Sequence, residues 1–183
     1  MSDYIVDSSL PSLAEALRGL DFPFEVRRTL QLIDVEYVSF DGVLHRGQLV
    51  LHRDLAEEAK EIFRLFLKRR FPIERVVPLV AYGWSDEASM AANNSSAFNY
   101  RLIIGTDRLS EHSLGRALDI NPKQNPYFAR DGKVYPEGSV YDLSVPGTLT
   151  EDGDIVKIFK AKGWDWGGNW TVPVDYQHFQ KLS

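Results

Sequence analysis

Two stretches of this chain carry side chains able to hold a divalent ion: SEHSLGRALDINP, Ser110 to Pro122, and DYQHF, Asp175 to Phe179. Between them they offer two imidazoles and two well-placed carboxylates, the inventory of a three-ligand zinc site with a catalytic base. Zinc held for catalysis takes three protein ligands from His, Asp, Glu or Cys and keeps a fourth position for water. The candidate ligands are His112, Asp119 and His178. His112 and Asp119 stand seven positions apart. On a helix that is a rise of about 10 Å, too far for two groups that must each approach one ion to about 2 Å. The spacing therefore predicts a bend followed by a strand. Gly115 relaxes the backbone between the two, and Ala117, Asp119 and Asn121 alternate with Leu118 and Ile120 as in a half-buried strand. Asp119 then faces the site, and Leu118 and Ile120 face the core.

Asp175 and His178 are three apart, so a helical or turn-like conformation sets them side by side. One can ligate while the other works on water. Water on zinc loses its proton near neutral pH, and a neighbouring carboxylate can take that proton and hand it to a leaving amine. Asp175 is the candidate for that base.

As a set, these residues resemble a family of zinc peptidases that cut peptidoglycan stem peptides, the D-alanyl-D-alanine carboxypeptidases and L-alanyl-D-glutamate endopeptidases. The serine-x-histidine and the aspartate of that family fall on Ser110, His112 and Asp119, and its late acidic-histidine pair falls on Asp175 and His178. SAFNYR at Ser96 to Arg101, NPYF at Asn125 to Phe128 and FKAKGWDWGGNW at Phe159 to Trp170 resemble the endopeptidase-like branch. The resemblance covers roughly residues 30 to 183. It implies an α+β fold, a small antiparallel sheet flanked by helices, of the type shared with hedgehog-like domains. It also implies Zn2+ as cofactor, the peptidoglycan peptide stem as partner, and the cell envelope as location.

One departure bears on catalysis. Many relatives carry an arginine after the aromatic residue in the turn ahead of the zinc motif, and this chain reads Ala81-Tyr82-Gly83-Trp84-Ser85 there. Arg101 is the available replacement, its planar fork of donors suiting an oxyanion or a peptide carboxylate. Ser110 is a candidate hydrogen-bonder to substrate, set against a local turn bond of its hydroxyl.

Composition bounds what else the chain can be. With 183 residues, 44% hydrophobic and 26% charged, it has the makings of one globular domain with a real core. A formal net charge of -5 disfavours nucleic-acid binding, which wants a basic face. The absence of Cys excludes disulfides, a cysteine nucleophile and thiolate metal ligation, so any zinc lies in a nitrogen and oxygen shell. Met1 to Leu20 lacks the basic start and apolar run of a signal peptide. No apolar run is long enough to span a membrane. Nothing specifies an oligomer, so a monomer is the default.

The positioning elements follow from periodicity and turn chemistry. Residues 1–29 read as a lead-in, with an amphipathic helix over Ser9 to Leu20, ahead of a domain over residues 30–183. Val35 to Phe40 and Val43 to His52 flank Asp41-Gly42, a strong hairpin signal. Asp54 to Arg70 reads as the longest helix, with a basic last turn and Pro72 as its stop. Val76 to Tyr82 is a strand candidate interrupted by Pro78, and Asp86 to Ala92 is a short helix before the polar run Asn93 to Ser96, which borders the cleft. Lys123 to Pro146 is an irregular insertion, and Asp154 to Lys162 is a final helix.

Blander readings stand beside these. His45 and His52, in the hairpin, are surface or satisfied core histidines. Trp164, Trp166 and Trp170 fit the core better than a cleft. The rival from another class is a zinc-stabilised binding module without turnover, which has no need of a carboxylate such as Asp175 beside an open coordination position.

Overall fold

The computed structural model describes residues 4–103 and 106–182. In chain order its elements are β1 (Ile5–Val6), α1 (Leu13–Ala16), α2 (Phe24–Arg27), β2 (Leu30–Val38), β3 (Leu44–His52), α3 (Ala56–Arg69), β4 (Arg75–Val76) and α4 (Asp86–Ala91). Then follow β5 (Asn94–Ser95), β6 (Ala117–Asp119), β7 (Tyr127–Phe128), β8 (Val134–Tyr135), α5 (Asp154–Ala161), β9 (Asp165–Trp166), β10 (Val174–Asp175) and β11 (His178–Gln180). This is a mixed α and β molecule with several small sheets and few helices.

The hairpin is the scaffold. β2 and β3 pair antiparallel from Leu30 opposite His52 to Val38 opposite Leu44, and the turn closes with Gly42 at φ 79° and Val43 N–H donating to Asp41 Oδ1 at 2.8 Å. From Ile33 to Tyr37 the strand alternates buried and exposed residues, and its buried row meets the apolar stripe Ala59, Ile62, Phe63 and Phe66 of α3. That stripe is why α3 forms and where it docks. It ends one residue before Arg70, which takes the left-handed conformation (φ 51°) ahead of Pro72. The core continues through Leu118 and Ile120 to Phe159, Trp164, Trp166 and Phe179, with Phe159 and Phe179 stacked at 3.7 Å.

Three expected stretches come out differently, the first being the insertion over Lys123 to Pro146, which carries the paired strands β7 and β8. The strand over Val76 to Tyr82 is cut to Arg75–Val76, followed by a 3-10 turn at Leu79–Tyr82. Pro78 supplies no ladder donor and presets the entry to that turn. The helix over Ser9 to Leu20 narrows to Leu13–Ala16, begun by Ser12, whose hydroxyl accepts from Glu15 N–H at 3.2 Å. This lead-in is docked. β1 adds in parallel to β3, and Ala16, Leu17 and Phe22 share a second apolar cluster with Leu30, Val50 and Phe98. His45, with Asp7 at 2.8 Å and Asp41 at 3.1 Å on its two ring nitrogens, is the satisfied core histidine expected.

Two three-stranded sheets meet near the C-terminus. One runs β6, β11, β9 and the other β10, β7, β8. The chain passes from the second to the first through the two residues between Asp175 and His178, so that turn joins the two sheets where the candidate ligands lie.

Candidate metal centre

His112 is delivered by a 3-10 turn over Glu111–Leu114, and Asp119 by the strand that follows, as the seven-residue spacing predicts. Ser110 starts the turn, its hydroxyl accepting from His112 N–H at 3.3 Å. Gly115 ends it at φ 65°, donating its N–H to the His112 carbonyl at 3.0 Å and accepting from His52 N–H at 2.8 Å. A Cβ at Gly115 would lie 2.5 Å from His52 N and 2.8 Å from Leu30 Cδ2. Only glycine lets the metal turn rest on the hairpin while its backbone is left-handed.

The third group arrives by strand pairing. In the antiparallel β6–β11 ladder His178 sits directly opposite Asp119, which sets their side chains on one face about 5 Å apart at Cβ. The result is convergence: His112 Nε2 lies 3.1 Å from Asp119 Oδ2 and 3.1 Å from His178 Nδ1, and His178 Nδ1 lies 3.1 Å from Asp119 Oδ1. Among the described residues these three form the group able to hold a metal ion. The other ring nitrogens are occupied. His112 Nδ1 bonds the Ala97 carbonyl, and His178 Nε2 bonds Gln180 Oε1 at 3.1 Å. Each imidazole is thereby held in the tautomer that turns its free nitrogen to the shared point. The donor set, two imidazoles and a carboxylate with no thiolate, fits zinc.

Charges at this point are strongly coupled. Burial would raise the Asp119 carboxyl, but the imidazoles of His112 and His178 hold it well below the usual carboxylate range. Burial would lower His178, but the hydrogen bond and charge of Asp119 push it up to about 9. A cation at this point takes over the role of that proton.

Asp175 stands at the end of β10, reached by a tight turn from His178 rather than by a helix. Burial pushes its carboxyl up to about 7, with the charge of Asp119 adding and those of His178, His112 and Arg101 opposing. Its Oδ1 is buried with no hydrogen-bond partner among the described residues. An orphaned carboxylate oxygen beside three converging ligand atoms is what a base aimed at water on the ion requires. Gly167 backs it, since a Cβ there would lie 2.5 Å from the Asp175 carbonyl oxygen and 3.0 Å from its Cβ.

Arg101 is brought close enough for its charge to act on Asp175, but its Nε is ion-paired with Asp86 at the start of α4. Its backbone is tied to the metal turn, with Arg101 N–H donating to Ser113 Oγ at 2.8 Å and Ser110 N–H donating to the Arg101 carbonyl at 3.1 Å. Ser110 makes the local turn bond already noted. Asn94 to Ser96 are buried, and the backbones of Ser96 and Asp119 bond each other at 3.0 and 2.8 Å. Trp164 and Trp166 are core residues. Trp170 is half-buried, with its ring 5.3 Å from His178, and so borders the site.

Gln180 and the Ala97 carbonyl have no counterpart among the sequence expectations. Gln180 was findable, because residues i and i+2 share a face of a strand; a backbone carbonyl carries no sequence signal. We expect Gln180→Ala to weaken zinc binding about 10- to 100-fold with little change in folding. A competition titration against a zinc chelator reads this, and unchanged affinity would show that the bond does not hold the ring.

No helix among the described residues is long and apolar enough to cross a membrane. Neither the search of the curated proteins nor that of the solved structures found a match. A family model described as D-alanyl-D-alanine carboxypeptidase matches residues 104–181, a stretch that contains His112, Asp119, Asp175 and His178 and stops short of Arg101. The model that matches, over residues 104–181, is that of the family to which the sequence resemblance points, a family of peptidases.

Proposed function

We propose that this chain is a zinc-dependent peptidase that hydrolyses an amide in the peptide stem of bacterial peptidoglycan, acting in the cell envelope. Residues 30–183 form its α+β domain of the hedgehog-like type, and residues 1–29 are a lead-in, of which the described residues from Tyr4 onward dock on it. The observation that carries the reading is the meeting of His112 Nε2, Asp119 and His178 Nδ1 at 3.1 Å spacings, inside a peptidase family match. When bound by these three groups, zinc supplies a Lewis acid for the scissile carbonyl and lowers the pKa of water.

The chain's own residues supply the rest. Asp175, raised by burial and facing the ligands, takes a proton from water at its Oδ1 and returns it to the departing nitrogen. Arg101 leaves Asp86 to steady the oxyanion or a substrate carboxylate, and Ser110 offers its hydroxyl to the substrate at the start of the metal turn. The stretches SAFNYR and GWDWGGNW favour the endopeptidic cut over removal of a terminal D-amino acid.

The test is digestion of peptidoglycan fragments by the purified protein, with and without a chelator, followed by mass spectrometry. We expect one stem amide to be cleaved, cleavage to stop with chelator, and zinc to restore it. A zinc-loaded wild type that cuts no stem peptide would leave a metal-stabilised binding module as the reading.

A further inference from the structure

The segment from Ala97 to Arg101 runs between the two apolar clusters, with Ala97 in the main core and Phe98 in the cluster that holds Ala16, Leu17 and Phe22 of the lead-in. It belongs to no strand. Its backbone is held by isolated hydrogen bonds: Phe98 N–H donates to the Val50 carbonyl at 3.0 Å, and Asn99 N–H to the His112 carbonyl at 3.2 Å. Alternate side chains turn opposite ways, as in any extended chain. Asn99 and Arg101 both meet Asp86, with Asn99 Nδ2 donating to Asp86 Oδ1 at 2.7 Å and Arg101 Nε ion-paired to the same carboxylate. Phe98 and Tyr100 both meet Phe22.

One side of this segment serves the metal turn. Its Ala97 carbonyl takes His112 Nδ1, and Ser113 Oγ accepts from Arg101 N–H at 2.8 Å while donating to the Arg101 carbonyl at 2.7 Å. The other side is covered by the lead-in. The Phe22 ring lies 5.1 Å from that of Phe98 and stacks on Tyr100 at 5.4 Å. Phe22 itself is buried, and the Arg27 guanidinium sits over its ring at 4.7 Å. A second grip lies alongside: Trp84, edge-on to Phe98 at 6.2 Å, donates its indole N–H to the Arg18 carbonyl at 3.1 Å. That tie holds the lead-in to the turn from which α4 presents Asp86.

We propose that Phe22 is a positioning residue for the metal centre: it presses the Ala97 to Arg101 segment onto the metal turn and so fixes the carbonyl that orients His112. The inference rests on the metal reading of His112, Asp119 and His178, and it assigns part of that site's support to the lead-in, outside the matched residues 104–181. The physical reason is packing. A rigid ring buried against two others leaves no slack, and a close-packed contact passes a displacement on rather than absorbing it. A segment held by single hydrogen bonds has no ladder to keep it in register once that cover is gone. Loss of an outer partner of a ligating imidazole weakens metal binding even where all three ligands remain.

The experiment compares full-length Phe22→Leu, which keeps an apolar side chain and loses the ring, with Phe22→Tyr, which keeps the ring, and with Ile62→Val in the α3 stripe. Ile62→Val is the control for stability alone, since it trims the main core at a comparable cost. Competition against a zinc chelator should show zinc held about tenfold more weakly by Phe22→Leu, the low end for an outer partner, and at wild-type strength by Phe22→Tyr and Ile62→Val. In the zinc-free protein the amides of Asn99, Arg101 and Gly115, which join the segment and the turn, should exchange about tenfold faster in Phe22→Leu than in Ile62→Val. Zinc affinity kept in Phe22→Leu, or lost equally in Phe22→Tyr or Ile62→Val, overturns the inference while leaving the metal site intact. Should wild type take up no zinc, the metal reading fails and the exchange rates decide alone. Faster exchange confined to Phe22→Leu then supports the positioning role, and equal rates in the three variants overturn it.

Discussion

Replacing Asp175 by Asn is expected to cut turnover of a stem peptide by about 10²–10⁴-fold, the usual worth of a positioned proton carrier, and at the same time to make the chelator-treated protein more stable. The second effect follows from the raised carboxyl. Folding moves it from its ordinary 3.8 to about 7, so between about pH 4 and pH 7 the folded chain binds more protons than the unfolded one, and stability falls as pH rises through that window. Above pH 7 the full cost of a buried, unpartnered carboxylate is present, on the order of 1–4 kcal/mol. Asn carries no such charge. Its melting temperature should exceed that of wild type by a margin that grows from pH 4 to pH 7 and is flat above, at ~2–4 °C per kcal/mol for a chain of this size. Thermal melts in chelator across that range, set beside a single-substrate assay, check both halves. A variant that keeps turnover within tenfold of wild type ends the role given to Asp175. A variant active to that degree with an unchanged melting point would remove the strain argument as well.

Such a trade of stability for chemistry marks where sequence reasoning succeeds. The group that could hold a metal ion, His112, Asp119 and His178, was legible because zinc demands a specific inventory and a specific approach distance. The seven-position spacing of His112 and Asp119 rules out a helix, and Gly115 marks the bend. The hairpin and α3 were legible because nine-residue strands around Asp41-Gly42 and a fourteen-residue helix are long enough for their periods to register. The strands that carry Asp119, Asp175 and His178 are two or three residues long, too short to show a period. They exist because Leu118, Trp166 and Phe179 are buried in a common core. Their register, and with it the facing of Asp119 by His178 and of Asp175 by Tyr127, is a tertiary result. The same holds for Arg101. Its residue type suggested an anion binder, but only the fold reveals that Asp86 is its partner in the free protein.

Metal binding gives the largest expected shift in stability and the sharpest test of the three ligands together. In saturating zinc, at ~1,000 times the dissociation constant, the gain is about 4 kcal/mol, or ~8–16 °C in melting temperature. His112→Ala, Asp119→Ala and His178→Ala should each lose most of it, since two remaining ligands do not make a closed site. The pH dependence has two opposed signs. His178, pushed up from 6.5 to about 9 by Asp119, stabilises the chelated protein fully below about pH 6.5, and that contribution is lost as pH rises through 9. Asp119, held down by the two imidazoles, contributes stability above its ordinary 3.8 that disappears as pH falls through its lower folded value. Zinc must displace the proton on His178, so its affinity should climb toward tenfold per pH unit between 6.5 and 9 while the chelated protein weakens over the same span. The increment in melting temperature on adding zinc therefore grows with pH, because the ion replaces a proton that pH is already removing. Melts with and without zinc at pH 6.5, 7.5 and 8.5 read this directly. An increment that stays level across the three, or one that survives intact in His178→Ala, would mean that zinc binds somewhere other than between β6, β11 and the His112 turn.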